Sequence, residues 1–552
     1  MTALKNHLPL ILLVVGVALL RTHLVLSNSN YLGVDGGAYL LSTLDRMGYE
    51  QLQAFTRLPL GTGYTLIPFI NLFGLDLGYK LFSVTFSLAP ILAVYYFSRI
   101  WLSKNQSLIP SAFIAFDMEL TEMLVTGILP AWCMAVLLCI LGAIIRNNIP
   151  QRQTFTNGLI IVFGVPLIYF SNFTTAAIAL YVIPVFLITL GVLYWQDNIN
   201  RAPMKPKDLL IRTNDGKWKR PNILQLTFAH LIDWLFRSNR FILGTLSVPF
   251  KFAPSVLCLI LGGLISLFAL PYYFSEEVGH LVYGGGEFIY FARFPIDAAY
   301  WYNIPIGLSL GILGFKNTKS KSLKAISILL IVVTAMTPLL SNDERIINIF
   351  YRSRYFMAFL TYPILTYLII NKLFPKIRRL EYTNTFNLFF YALLQRGKYA
   401  ILIIAILILA QESIHTFRGQ SVYSDQITQD TLRMLEVSGS NVIASNFSQA
   451  HWVAAILKPS KRIAHRWTTT PHKIHQAEHY YVECLYGNII NCDKSHAQKT
   501  LDVDYILING SDAINSKNIT KKHNDLKSKY WLTPVMHGWK NNEVLYKISL
   551  DS

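Results

Sequence analysis

An aspartate stands in the string Gly33-Val34-Asp35-Gly36-Gly37-Ala38-Tyr39-Leu40, just after an apolar run at residues 8–26. A carboxylate there can accept hydrogen bonds from the free N–H groups of a following helix. It can also take a proton from an acceptor hydroxyl. The two roles are compatible, and the paired glycines allow a ligand to approach the backbone closely. A second set of acids is Asp117, Glu119 and Glu122. Glu119 and Glu122 are three apart and share a helical face. One alternative is an acidic cluster facing water at a membrane boundary. The other is acceptor or metal binding, where oxygen ligands suit Mg²⁺ or Mn²⁺. No cofactor is required by the sequence, and the metal is left unassigned.

The cations form a third group. Arg345, Arg352 and Arg354 cluster where an apolar run begins, and Arg293 lies in an earlier loop. Guanidinium forks hold phosphate oxygens, and would stabilise a phosphate that gains charge as it leaves. Pairing with Asp343 and Glu344, or with lipid headgroups, is the alternative. The loop 272–298 contains Tyr283-Gly284-Gly285-Gly286-Glu287. It lacks the Lys-Ser/Thr of a P-loop, so Tyr283 and Glu287 are read as part of a flexible loop over a donor site. His472, His475 and His479 share a helical face without a completing ligand, which favours a solvated surface. Trp452 and Trp467 are read as core rather than as sugar platforms. Cys484 and Cys492 are candidates for a disulfide if their compartment is oxidising.

The elements that position these residues are apolar. The chain has 552 residues, 53% hydrophobic and 14% charged, against about 25% charge for a soluble domain. Eleven spans are expected, at 8–26, 79–98, 107–125, 126–146, 158–172, 175–195, 252–271, 299–315, 324–340, 354–371 and 399–411. With the N-terminus inside, the basic loops (99–104, 146–152, 196–251, 316–324 and 372–398) all fall on one side. Asp35, Glu50, Glu276, Glu287 and Asp343 fall on the other. This is the pattern of the positive-inside rule. It accounts for the formal charge of +18 without nucleic acid as a partner. Residues 36–50 and 59–77 are expected to lie in the outer interface.

The expected fold is therefore a polytopic α-helical membrane protein, N-in and C-out. Residues 1–411 form the transmembrane part, with a first outer loop at 27–78 and a basic cytoplasmic loop at 196–251. Residues 412–552 turn polar, with β-like runs at 442–444, 505–508 and 544–548 and a helical pattern at 426–437. They predict a small α/β domain outside the cytoplasm.

The Gly-x-Asp-Gly-Gly-x-Tyr-Leu string after a first span resembles the first outer loop of the GT-C superfamily of glycosyltransferases. Arg57-Leu58-Pro59-Leu60, then Gly78-Tyr79-Lys80 opening a span that ends Tyr96-Phe97-Ser98-Arg99, looks like the section that follows. The resemblance covers about residues 8–146. It implies transfer of a sugar from a polyprenyl-phosphate or diphosphate donor to a glycan, glycolipid or protein acceptor. Asp35 would match the family's first-loop catalytic acid. Two other classes explain the spans: a transporter or flippase for lipid-linked or small solutes, and a non-catalytic glycolipid-binding relative. A transporter would bring broken spans or inverted repeats.

Overall fold

A computed structural model describes residues 2–27, 36–48, 60–126, 128–149, 154–200, 211–212, 218–219, 252–267, 298–336, 354–373, 397, 399–415, 417, 427–439, 441–444, 447–457, 464–465, 480–508, 524–538 and 543–550. The first half is a run of apolar helices: α1 (Thr2–Ser27), α2 (Gly36–Arg46), α3 (Leu60–Phe73), α4 (Leu75–Ser87) and α5 (Ala89–Ser98). Then come α6 (Lys104–Ala115), α7 (Met118–Thr126), α8 (Leu129–Asn147), α9 (Phe155–Ser171) and α10 (Phe173–Asn200). A two-stranded hairpin, β1 (Ile211–Arg212) and β2 (Trp218–Lys219), lies in the basic loop. The apolar helices resume with α11 (Phe252–Ser266), α12 (Ala298–Asn317), α13 (Lys321–Met336), α14 (Arg354–Leu368) and α15 (Tyr399–His415).

Each of the eleven expected spans falls on one or more of these helices. Among the described residues, four stretches are long and apolar enough to cross a bilayer: His7–Ser27, Leu75–Ser98, Leu129–Asn147 and Thr175–Gln196. Apolar side chains of α1, α10 and α15, such as Leu12, Leu19, Ile188 and Leu407, point away from the protein. That is the expected surface of helices solvated by lipid tails.

Two expectations about local structure are corrected. The segment 107–125 is not one helix. It breaks at Phe116 and Asp117, and α7 starts anew at Met118. Nor does the described part of 36–50 bury only one apolar face. Helix α2 is buried on several sides, through Tyr39, Leu40, Leu41, Ser42, Thr43 and Leu44. It is held between α3 and a helix of the C-terminal segment. Gly63 makes this possible: a Cβ there would stand 2.9 Å from the Ser42 carbonyl oxygen, so α2 and α3 approach through a bare backbone.

The C-terminal segment begins with α16 (Gln429–Ser438), β3 (Val442–Ala444) and α17 (Phe447–Leu457). After these come β4 (Ala464–His465), α18 (Lys494–Leu501), β5 (Tyr505–Ile508), β6 (Leu532–His537) and β7 (Val544–Ile548). The strands form a mixed sheet in the order β4-β3-β5-β7-β6. Strand β3 pairs in parallel with β4 and β5, while β7 pairs antiparallel with β5 and β6. The three strands expected from sequence are β3, β5 and β7. The parallel β3–α17–β4 crossover explains why α17 covers one face.

The sheet's other face has its own core, built from Val482, Leu485, Tyr486, Ile506, Trp531 and Tyr546. A disulfide joins Cys484 and Cys492 beside it. The residues of α17 belong instead to the core shared with the membrane helices.

Candidate functional site

Asp35 lies outside the described residues, immediately before the first turn of α2. What is described is its platform. Helix α2 packs on α3 and against α17. From α17, fully buried Trp452 meets Tyr79 of α4 edge-on, with ring centroids 5.7 Å apart. This is the geometry that aromatic quadrupoles favour. The C-terminal segment therefore sits directly on the helix that follows Asp35.

Asp117 is placed most clearly of the acids. It does not face water: it is 8% exposed. It caps α7 by accepting from the Leu120 N–H at 3.0 Å through Oδ1. Its Oδ2 accepts from the Tyr362 hydroxyl of α14 at 2.7 Å. Tyr362 also stacks on Phe113, at 5.3 Å and nearly parallel. Glu119 and Glu122 both lie on α7, in its first two turns. The backbone of α7 packs on α4 and α8.

A break in a helix at membrane depth frees carbonyl oxygens that no water can reach, and these must be satisfied from elsewhere in the protein. Here they are. The Ala115 carbonyl accepts from Nη2 of Arg21 on α1 at 2.7 Å. The Phe116 carbonyl accepts from the Ser413 hydroxyl on α15. The other arm of Arg21, Nη1, reaches the Ser87 carbonyl at 2.6 Å. That carbonyl ends α4, where Ile91 N–H turns to Leu88 instead. One guanidinium thus closes two helix breaks. Arg21 is 4% exposed, and the charge facing it is the Asp117 carboxylate.

Sequence reasoning passed over Arg21, Tyr362 and Ser413. The signal for Arg21 was present: a lone cation inside the first apolar run. A charge at that depth is costly and calls for a partner. Nothing local marks Tyr362 or Ser413, which lie 245 and 297 positions from their partners.

Arg354 opens α14, eight residues before Tyr362. Arg293, Arg345, Arg352, Tyr283 and Glu287 lie outside the described residues, as do Trp467 and the His472, His475 and His479 set. No group of three His, Cys, Asp or Glu residues that would hold a metal exists among the described residues. Asp117 already spends both carboxylate oxygens on hydrogen bonds.

No family model matches the sequence, and no curated protein does either. Solved structures do match. One is the archaeal oligosaccharyltransferase AglB from Archaeoglobus fulgidus, in complex with an inhibitory peptide and a dolichol-phosphate. It is 14% identical, with a TM-score of 0.50 over 98% of this chain and 74% of that one. Another is ArnT from Cupriavidus metallidurans in the apo state. It is 12% identical, with a TM-score of 0.50 over 98% of both chains. The chain shares its fold with these GT-C glycosyltransferases. With its apolar helices, the GT-C fold makes this an integral membrane protein. In that fold the match over the whole length of ArnT includes the C-terminal sheet as well as the helices.

Proposed function

We propose that this protein is a glycosyltransferase. It moves a sugar from a polyprenyl-phosphate or polyprenyl-diphosphate donor to an acceptor on the outer membrane face. The observation that carries the reading is the placement of Asp35 at the start of a helix buried on several sides, within a GT-C fold. A general base must be held rigidly to act. The packing of α2 on α3 and α17 seats the helix that follows Asp35 in the sequence, which supports this role. The AglB structure of the same fold holds a dolichol-phosphate and a peptide, which supports a lipid-phosphate donor and a separate acceptor here.

In this reading Asp35 removes the proton from an acceptor hydroxyl. The freed oxygen bonds to the anomeric carbon of the sugar. The bond from that carbon to the donor phosphate breaks, and its electron pair stays on the phosphate. Arg352 and Arg354, together with Arg345 and Arg293, bind that phosphate and offset its growing charge. Tyr283 and Glu287 belong to the loop over the donor. Glu119 and Glu122 of α7 contact the acceptor. The donor's lipid stays in the bilayer throughout, and the C-terminal α/β unit lies on the same outer side as Asp35.

The test uses the full chain in lipid nanodiscs. A panel of polyprenyl-phosphate sugars is supplied with membrane extract as acceptor, and release of polyprenyl phosphate is followed. The expected result is release by the native protein and a loss of about 10²-fold or more in Asp35→Asn, with the variant still folded. Equal release by both would remove Asp35 from the chemistry. No release from any donor, together with solute or lipid flux in vesicles, would replace this reading with a transporter.

A further inference from the structure

We propose that Arg21 is a positioning residue of this site, and that Arg21, Asp117, Tyr362 and Ser413 form a brace that sets the direction of the acid-bearing helix α7. The proposal rests on the glycosyltransferase reading for what α7 does, but not for what the brace is.

Three separate helices send side chains to the break between α6 and α7. Helix α1 supplies the Arg21 fork to the Ala115 and Ser87 carbonyls. Helix α14 supplies Tyr362 to Asp117, and α15 supplies Ser413 to the Phe116 carbonyl. Asp117 itself ties the break to the first turn of α7 through the Leu120 N–H. Apart from the arm of Arg21 that reaches Ser87, these contacts end within four residues of Glu119. The break is thus held from three sides in an interior where an unmade hydrogen bond is costly. A loose α7 would swing both glutamates together, because they share one short helix.

The same geometry gives Asp117 a role other than catalysis. Its two oxygens are engaged by an N-cap and a tyrosine, and its charge answers that of Arg21. A planar guanidinium is suited to this place because it reaches two carbonyls at once in a fixed fork. A lysine would bring a point charge on a flexible stem instead of a fixed fork.

The experiment compares Arg21→Gln, Asp117→Asn and the charge-neutral double variant, each as full chain in nanodiscs. Amide hydrogen exchange is measured over 118–126, with the sheet of the C-terminal unit as an internal control for folding. Each single change removes one of two facing buried charges. The α7 amides are then expected to exchange at least about tenfold faster. The double variant keeps amide donors at 21 and an amide acceptor at 117. It is expected to return to within about threefold of native, the sign of energetic coupling between neighbours.

Polyprenyl phosphate release should follow the same order, lowered through kcat in the singles and regained in the double. Native exchange of α7 in Arg21→Gln would overturn the brace. So would loss of release in Asp117→Asn with α7 exchange unchanged and no recovery in the double, since Asp117 would then be a reacting group. Where no donor is turned over, the exchange data alone still decide the brace, so its failure is distinct from failure of the transferase reading.

Discussion

Trp452→Ala tests whether the C-terminal unit holds the platform behind Asp35. The indole is fully buried in the core that α17 shares with the membrane helices, and it meets Tyr79 edge-on at 5.7 Å. Truncating a buried tryptophan costs about 3–5 kcal/mol. About 1 kcal/mol of that belongs to the aromatic pair, so Trp452→Phe should keep most of the contact. The C-terminal sheet has a second core around Tyr486, Ile506 and Trp531 that does not include Trp452. The loss should therefore fall on docking rather than on folding of the unit. At about 1.4 kcal/mol per tenfold, a loss near 3 kcal/mol predicts amide exchange in α2 faster by about 10²-fold. Exchange in β5 and β7 should stay as in the native protein. Hydrogen exchange in nanodiscs reads both regions in one measurement. Native exchange of α2 in Trp452→Ala would refute the coupling, and so would equal acceleration of α2 and β5.

Further outcomes follow from other contacts. Gly63→Ala should lower the melting temperature and loosen α2, at a cost of about 1–3 kcal/mol, because its methyl would stand 2.9 Å from the Ser42 carbonyl. Replacing Cys484 and Cys492 together by Ser opens a loop with a sequence separation of 8. The loop-entropy relation then predicts a loss of about 2–3 kcal/mol in the C-terminal unit, read as a lower melting point that reductant reproduces in the native protein. Glu543 is fully buried and accepts from the hydroxyls of Thr428 and Thr431 at the start of α16. Glu543→Ala should cost about 1–3 kcal/mol and raise exchange across α16. Burial pushes the Tyr546 phenol up to about 12. The folded state then keeps a proton that the unfolded chain loses from about pH 10, so stability should fall as pH rises from about 10 to about 12. Tyr546→Phe should flatten that slope in a denaturant titration of the full chain.

The apolar runs were legible because burial in a bilayer is a property of composition over about 20 residues. The strands β3, β5 and β7 were legible as short β-branched runs. Strands β4 and β6 were not, since Ala464–His465 and Leu532–His537 carry little local signal and are fixed by their neighbours in the sheet. The burial of α2 was misread for a related reason. Tyr39, Leu40 and Leu44 suggest one apolar face, but Ser42 and Thr43 are buried as well, because α2 packs both on α3 and on a helix more than 400 positions later in the chain. The break at Asp117 was hidden too. Residues 107–125 are apolar enough to read as one span, and the groups that stabilise the break arrive from α1, α14 and α15. Asp35, Arg293, Arg345 and Arg352 stand out in the sequence by type and spacing, and they fall outside the described residues, while Arg354 opens α14.

Arg21 and Asp117 illustrate why charges inside such a chain are best read in pairs. Each alone is costly at membrane depth, by about 2.5–3.5 kcal/mol on insertion scales for a helix centre. Two broken helices are costly as well, because their freed carbonyls need donors. Placed together, the guanidinium donates to both breaks and faces the one carboxylate, so the same residues answer both problems. Removing one member of such a set is worse than removing its charge and keeping its shape. Asp117→Leu should therefore destabilise the protein more than Asp117→Asn. Leucine strips the N-cap of α7 and the acceptor for Tyr362 along with the charge, whereas asparagine keeps an oxygen for either. The difference should be about 1–3 kcal/mol, read from thermal unfolding in nanodiscs. Equal melting of the two variants would mean that charge alone matters at 117, and that the hydrogen bonds to Leu120 and Tyr362 contribute nothing.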